Sequence, residues 1–198
     1  KTRVQLCAFE DGGHLTILDA SEARGTEALV NGDRVLFHVM DGERTRVELG
    51  ITDWLLDRVD QARDTLEQAV GEVPGSFTAQ FHLGEVYRRK EDNARAREHL
   101  NAALRIESDS PFAAFALAEV LFATGEADAA GELYRKVILS NRPFPRLGRV
   151  YFQLAQLVHR RRASRQALGF LELAAKHGYD AELIALWELR VSLALRDH

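Results

Sequence analysis

The stretch that decides the fold is FHLGEVYRRKEDNARAREHLNAALRI at residues 81–106, because the chain repeats its pattern twice. A shift of 34 residues gives FALAEVLFATGEADAAGELYRKVIL at 115–139. A second shift, with three residues inserted, gives FQLAQLVHRRRASRQALGFLELAAK at 152–176. Apolar residues in each copy recur three and four apart on two consecutive segments, which is the spacing of one helical face. Each copy therefore predicts two amphipathic helices joined by a short turn.

Small residues occupy the places where the two helices of a copy would approach each other closely. They are Gly84, Ala118 and Ala155 on the first helices, and Ala96, Ala130 and Ala167 on the second helices. The large apolar residues between them fill the remaining space. One helix pair cannot bury its own apolar face, so neighbouring copies must stack on each other.

A 34-residue period with small and large apolar residues at these offsets resembles the tetratricopeptide repeat, a helix–turn–helix unit. The resemblance implies a mostly α fold, an α–α superhelix or solenoid, that serves as a protein-binding scaffold and not as an enzyme. Two features depart from the family pattern. Ser108 stands where proline often closes the unit, and the usual tryptophan near the start of each unit is replaced by Gln80, Ala114 and Tyr151.

The repeats are predicted to span residues 53–198. Complete units are predicted at residues 77–110, 111–144 and 148–181, with a capping helix at 181–196. The apolar stripe of the capping helix consists of Leu183, Leu186, Leu189 and Leu193. Solenoids need such a helix to cover their final apolar face.

A further helix is predicted before the first complete unit. Thr52–Asp53 can cap a helix that begins at Trp54, and Pro74–Gly75 ends it. Because Ala62, Leu66 and Ala69 precede Ala96, Leu100 and Ala103 by 34 residues, residues 53–74 are predicted to form the second half of an incomplete leading unit.

Residues 1–50 have a different pattern. Residues 4–9 and 14–18 are strand-like around a Gly-Gly turn, and residues 34–40 and 45–49 are strand-like around Asp41–Gly42. They predict a small N-terminal antiparallel β subdomain that docks on the helices and replaces the missing half unit.

The first helix of each unit lines the concave face in the tetratricopeptide family, and this resemblance places a candidate groove. Phenylalanine occupies the fifth place of each unit, and glutamate or glutamine lies four residues later. The predicted partner-binding residues are Phe81, Glu85, Arg88, Phe112, Phe115, Glu119, Phe122, Arg149, Phe152 and Gln156. The rings of Phe81, Phe115 and Phe152 are expected to be exposed along one concave wall. The two glutamates beside them favour a basic or amphipathic partner segment.

Composition excludes several other classes of function. The net charge of −4 does not suit a nucleic-acid binder, which is normally basic. With one cysteine, Cys7, no internal disulfide or multi-cysteine zinc site can form, and the chain is expected to be cytoplasmic. No apolar run is long enough to insert in a membrane. We expect no cofactor, no metal and no catalytic residues, a protein or peptide partner, and either a monomer or a homo-oligomer.

Two alternatives remain at the level of sequence. Residues 1–50 could sense a small ligand or nucleotide, with the repeats binding a partner in response. The chain could also be an enzyme subunit.

Overall fold

The computed structural model of the protein describes the backbone of residues 5–10, 14–19, 27–30, 33–36, 42–140 and 142–196. Side chains are described for residues 46–140 and 142–196. The chain forms two compact units, residues 1–90 and residues 91–198.

Four short strands precede the helices in the first unit. Strands β1 (Gln5–Glu10) and β2 (His14–Asp19) pair antiparallel, as do β3 (Glu27–Val30) and β4 (Asp33–Leu36). The prediction of a strand at residues 45–49 is wrong, because the chain is helical from Gly42 onward. Residues 37–40 of the strand predicted at 34–40 lie outside the described residues.

The first unit also contains helices α1 (Gly42–Leu55), α2 (Val59–Glu72) and α3 (Phe77–Arg89). Helix α1 packs against both α2 and α3. The leading repeat therefore has both its helices, and the predicted half unit that begins at Trp54 is wrong. Trp54 lies in the last turn of α1, and the second helix starts at Val59.

The second unit contains the remaining helices, each packed against its neighbours in chain order. They are α4 (Asn93–Ile106), α5 (Pro111–Ala123), α6 (Ala127–Leu139), α7 (Leu147–Arg160), α8 (Ser164–Lys176) and α9 (Ala181–Arg196). Each repeat predicted at 77–110, 111–144 and 148–181 has its two helices, with α7 beginning one residue before the predicted bound, and the helix predicted at 181–196 agrees with α9. The described part of the chain is thus mostly helical, with nine helices.

The turn after the first helix of each repeat has one residue in the left-handed backbone conformation. These residues are Asp57 (φ 63°), Glu91 (φ 60°), Gly125 (φ 85°) and Arg162 (φ 62°). Their separations of 34, 34 and 37 residues follow the sequence repeat. The backbone therefore repeats even where the side chain is not the glycine that this conformation favours.

Packing follows the same period. Ala62, Ala96, Ala130 and Ala167 are completely buried, as are Leu66, Leu100, Tyr134 and Leu171 four residues later. The leading repeat also has a small residue on its first helix, Gly50. A Cβ atom at Gly50 would lie 2.6 Å from Cγ of Leu66, so the close approach of α1 to α2 requires glycine.

Helix α9 faces its neighbours with a side other than the predicted one. Ile184 and Val191 are buried, and Trp187 packs against the same core cluster, which includes Leu171 of α8. The predicted apolar stripe is exposed instead, at 40% for Leu183, 64% for Leu186, 60% for Leu189 and 50% for Leu193. The prediction that this stripe covers the end of the repeats is therefore wrong.

Candidate interaction site

The candidate site in the second unit consists of two facing stripes of side chains. In each stripe, residues recur three and four apart, so they lie on one side of their helix. Phe112, Phe115, Glu119 and Phe122 come from α5, and Arg146, Arg149, Gln153, Gln156 and Arg160 come from α7 and its N-cap. We call these nine residues the α5–α7 face.

A hydrogen-bond network around Glu119 joins the two stripes at their centre. The Tyr134 hydroxyl donates to Oε1 of Glu119 at 2.5 Å, and Nε2 of Gln153 donates to the same oxygen at 3.2 Å. The Arg149 guanidinium forms a salt bridge with Oε2 of Glu119. Glu119 is buried, and its carboxylate is bound by residues of α6 and α7. It is therefore not a free surface charge.

Three arginines of α7 and its N-cap lie over two phenylalanine rings of α5. The guanidinium carbons of Arg146 and Arg149 are each 5.9 Å from the Phe115 ring centroid, and that of Arg160 is 5.2 Å from the Phe122 centroid. Stacking on an aromatic face holds the planar guanidinium while leaving its N–H edge available for a carboxylate. Among the described residues, no carboxylate pairs with Arg146 or Arg160.

Two of the three predicted groove rings are buried, so their expected exposure is wrong. Phe115 is 5% exposed and packs against Phe144 at 5.2 Å between ring centroids. Phe152 is also 5% exposed, with Tyr179 at 4.7 Å. In each case an aromatic residue at or near the start of the next repeat covers the ring. On α5 and α7, this place in the repeat therefore belongs to the core between repeats.

Other rings on the α5–α7 face remain accessible. Phe112 is 46% exposed and meets Phe144 edge-on at 5.3 Å, and Phe122 is half-buried beneath Arg160. Ten residues separate Phe112 from Phe122, a distance of about 15 Å along a helix. Gln156 is half-buried on the neighbouring stripe.

The predicted site residues of the first unit form a separate group on α3. Phe81 is half-buried and stacks on Phe77, with 5.8 Å between centroids. Glu85 accepts two hydrogen bonds from Arg88, at 2.8 and 3.0 Å, so its charge is compensated. Burial lowers the pKa of His82 below its usual range, although Glu85 acts in the opposite direction.

These contacts reverse the expected charge of the site. Glu85 and Glu119 are both paired with arginine, so they do not supply the free negative charge that favoured a basic partner. The α5–α7 face carries three arginines against one glutamate, a net charge of +2. Arg146, Gln153 and Arg160 are not among the predicted partner-binding residues, although they extend the spacing of Arg149 and Gln156.

Comparisons with known proteins agree with this repeat architecture. Family models of the tetratricopeptide repeat match residues 48–111 and 87–151, and none of the matching models is of a catalytic family. A comparison with curated protein sequences gave no significant match. Together the two matches cover residues 48–151, more than half of the chain, and the chain belongs to the tetratricopeptide repeat family.

Solved structures with the same fold are related at low sequence identity. The crystal structure of MamA is 22% identical and covers 69% of this chain and 78% of its own, with a TM-score of 0.63. PilF of Pseudomonas aeruginosa is 18% identical and covers 78% and 69%, with a TM-score of 0.68. YrrB, a TPR protein with an unusual peptide-binding site, is 18% identical and covers 73% of each chain, with a TM-score of 0.63.

Metal clusters and membrane-spanning helices are absent from the described residues. No group of three or more His, Cys, Asp or Glu side chains there is placed to hold a metal ion. None of the described helices is long and apolar enough to cross a membrane. The predicted ligand-sensing function of residues 1–50 falls mainly on side chains outside the described residues, and it stays a prediction.

Proposed function

We propose that this protein is an interaction scaffold that binds a partner segment carrying acidic and apolar side chains on the α5–α7 face. The observation that carries the proposal is the set of three arginines whose guanidinium groups lie over two phenylalanine rings. This contact limits the rotamers of these side chains, so less entropy is lost when they bind a carboxylate in bidentate geometry. Two of them have no acidic partner among the described residues.

The face also sets the length of the segment. Phe112 and Phe122 provide two apolar contacts about 15 Å apart, which about five residues of extended chain or three turns of helix can span. Arg146 lies over Phe115, between the two rings, and Arg160 lies over Phe122 at one end. The partner segment therefore has two apolar side chains, with carboxylates between them and beside the one that meets Phe122. The peptide-binding site of YrrB supports a peptide partner for this fold.

Selection from a random 16-residue peptide library tests the proposal. The full chain is compared with the variant Arg146→Glu/Arg160→Glu. A matched control, Arg105→Glu/Arg165→Glu, makes the same change in net charge on exposed residues of α4 and α8. The wild type and the control should enrich peptides rich in Asp and Glu beside apolar residues, and the variant should lose them. Recovery of basic peptides, or equal recovery by all three proteins, would refute the proposal.

A further inference from the structure

Helix α9 has two apolar sides, and only one of them is covered in the described structure. Ile184, Trp187 and Val191 pack against α7 and α8, where the Trp187 ring lies 6.0 Å from Phe152 and 5.9 Å from His159. The other side carries Leu183, Leu186, Leu189 and Leu193, which we call the leucine face. Each of these side chains is at least 40% exposed. Contiguous exposed apolar surface of this kind marks an interaction site.

The repeat period relates the centre of the leucine face to places where one repeat packs on the next. Leu186 lies 34 residues after Phe152, which itself lies 37 residues after Phe115. Both phenylalanines are buried by residues at the start of the next repeat. At the same place on α9, no described element covers Leu186. The equivalents of Leu186 on α5 and α7 are thus covered by the repeat that follows.

We propose that the leucine face binds the leucine face of a second copy of this chain, with the two α9 helices antiparallel about a two-fold axis at Leu189. Glu182, Leu186, Leu189, Leu193 and Arg196 are spaced by four, three, four and three residues, the heptad spacing of paired helices. Glu182 and Arg196 therefore close the two ends of the apolar seam.

The charges of α9 determine the direction of pairing. Glu182 and Arg196 each lie seven residues from Leu189, about 10 Å along the helix. Antiparallel pairing brings Glu182 of each copy to Arg196 of the other, forming two equivalent ion pairs, as an isologous contact requires. Leu186 and Leu193, three and four residues from the centre, interdigitate on either side. Parallel pairing would instead oppose two glutamates and two arginines, and like charges across a helix pair are unfavourable.

Sedimentation velocity of the full chain across a concentration series tests this dimer. The wild type should sediment as a dimer at high concentration, and Leu189→Glu should be monomeric because it places two like charges on the axis. Glu182→Arg and Arg196→Glu should each weaken dimerisation by about three- to thirty-fold, since two exposed ion pairs are lost. Combining them exchanges the charges and should restore the wild-type affinity. Glu172→Arg on the exposed side of α8 is the control and should have no effect.

Cysteine cross-linking tests the geometry in a background that lacks the natural cysteine, Cys7→Ser. Leu189→Cys should form a covalent dimer on oxidation because the axis brings the two residues 189 together. Leu183→Cys should not, because antiparallel pairing separates the two residues 183. A chain that is monomeric at about 100 µM, cross-linking at 183 in preference to 189, or failure of the exchanged charges to restore affinity would overturn the proposal. The proposal would also be overturned if the chain stays monomeric and its leucine face binds a different protein.

Discussion

The hydroxyl of Tyr134 should contribute measurably to the stability of residues 91–198 through Glu119. Tyr134 is completely buried and donates to a carboxylate that is 8% exposed. A hydrogen bond to a charged group contributes about 1.5–3 kcal/mol. In Tyr134→Phe, Gln153 and Arg149 still bind the carboxylate. We therefore expect the free energy of unfolding to decrease by an amount in that range. Arg149→Ala should cost less, about 1 kcal/mol, because Arg149 is 46% exposed and water can replace it.

Urea denaturation followed by tryptophan fluorescence measures this loss. The chain has two tryptophans, so Trp54→Phe leaves Trp187 as a reporter of residues 91–198. Tyr179→Phe is the control, because its ring packs on Phe152 while no hydrogen bond of its hydroxyl to a described residue is found. A change within about 0.5 kcal/mol for Tyr134→Phe, equal to that of the control, would show that the Glu119 network does not stabilise the fold.

Three further predictions concern stability. Because burial lowers the pKa of His82 in the folded chain, the unfolded chain binds more protons below pH 6.5. The contribution of neutral His82 to the free energy of unfolding is therefore complete above pH 6.5 and is lost as the pH falls through the folded pKa. The melting temperature of wild type should therefore fall more between pH 7.5 and 5 than that of His82→Gln, and equal falls would contradict the burial argument. In chemical denaturation, Phe115→Ala should cost about 3–5 kcal/mol, whereas Phe112→Ala should cost about 1 kcal/mol; the reverse order would contradict their burial. Gly125→Ala should destabilise by about 1–2 kcal/mol, whereas Arg162→Gly should stabilise by about 0.5–1 kcal/mol, and the same sign for both would contradict the left-handed turn.

The repeat architecture could be predicted because the residues that recur with its period are the buried ones. Alanines 34 or 37 residues apart are buried to the same extent from the leading repeat to the last. Helix α1 was missed because Thr45–Leu49 alternates polar and apolar residues, which is also typical of a strand. The signal was nevertheless present. Subtracting 34 from Leu83–Gly84 gives Leu49–Gly50, and Gly50 is the residue that allows α1 to approach Leu66.

The candidate site could be predicted only in part, because exposure depends on what the next repeat places over each residue. The repeat register correctly placed Phe115 and Phe152 at equivalent positions. Their rings are covered by Phe144 and Tyr179, which lie just before the first helix of the following repeat. Charge was misjudged for a similar reason. In the sequence, no basic residue at helical spacing from Glu119 indicates that it is paired. Its partner Arg149 lies thirty residues later in the chain, on α7.

Site-specific photo-cross-linking tests the central claim, that partners bind on the α5–α7 face, most directly. A photoreactive phenylalanine analogue replaces Gln156 on that face or, as the control, Glu172 on the exposed side of α8. Each protein is irradiated with an acidic peptide from the library selection. The proposal predicts a peptide adduct from position 156, suppressed by unlabelled peptide, and none from position 172. Equal adducts from both positions, or an adduct from position 172 alone, would contradict it.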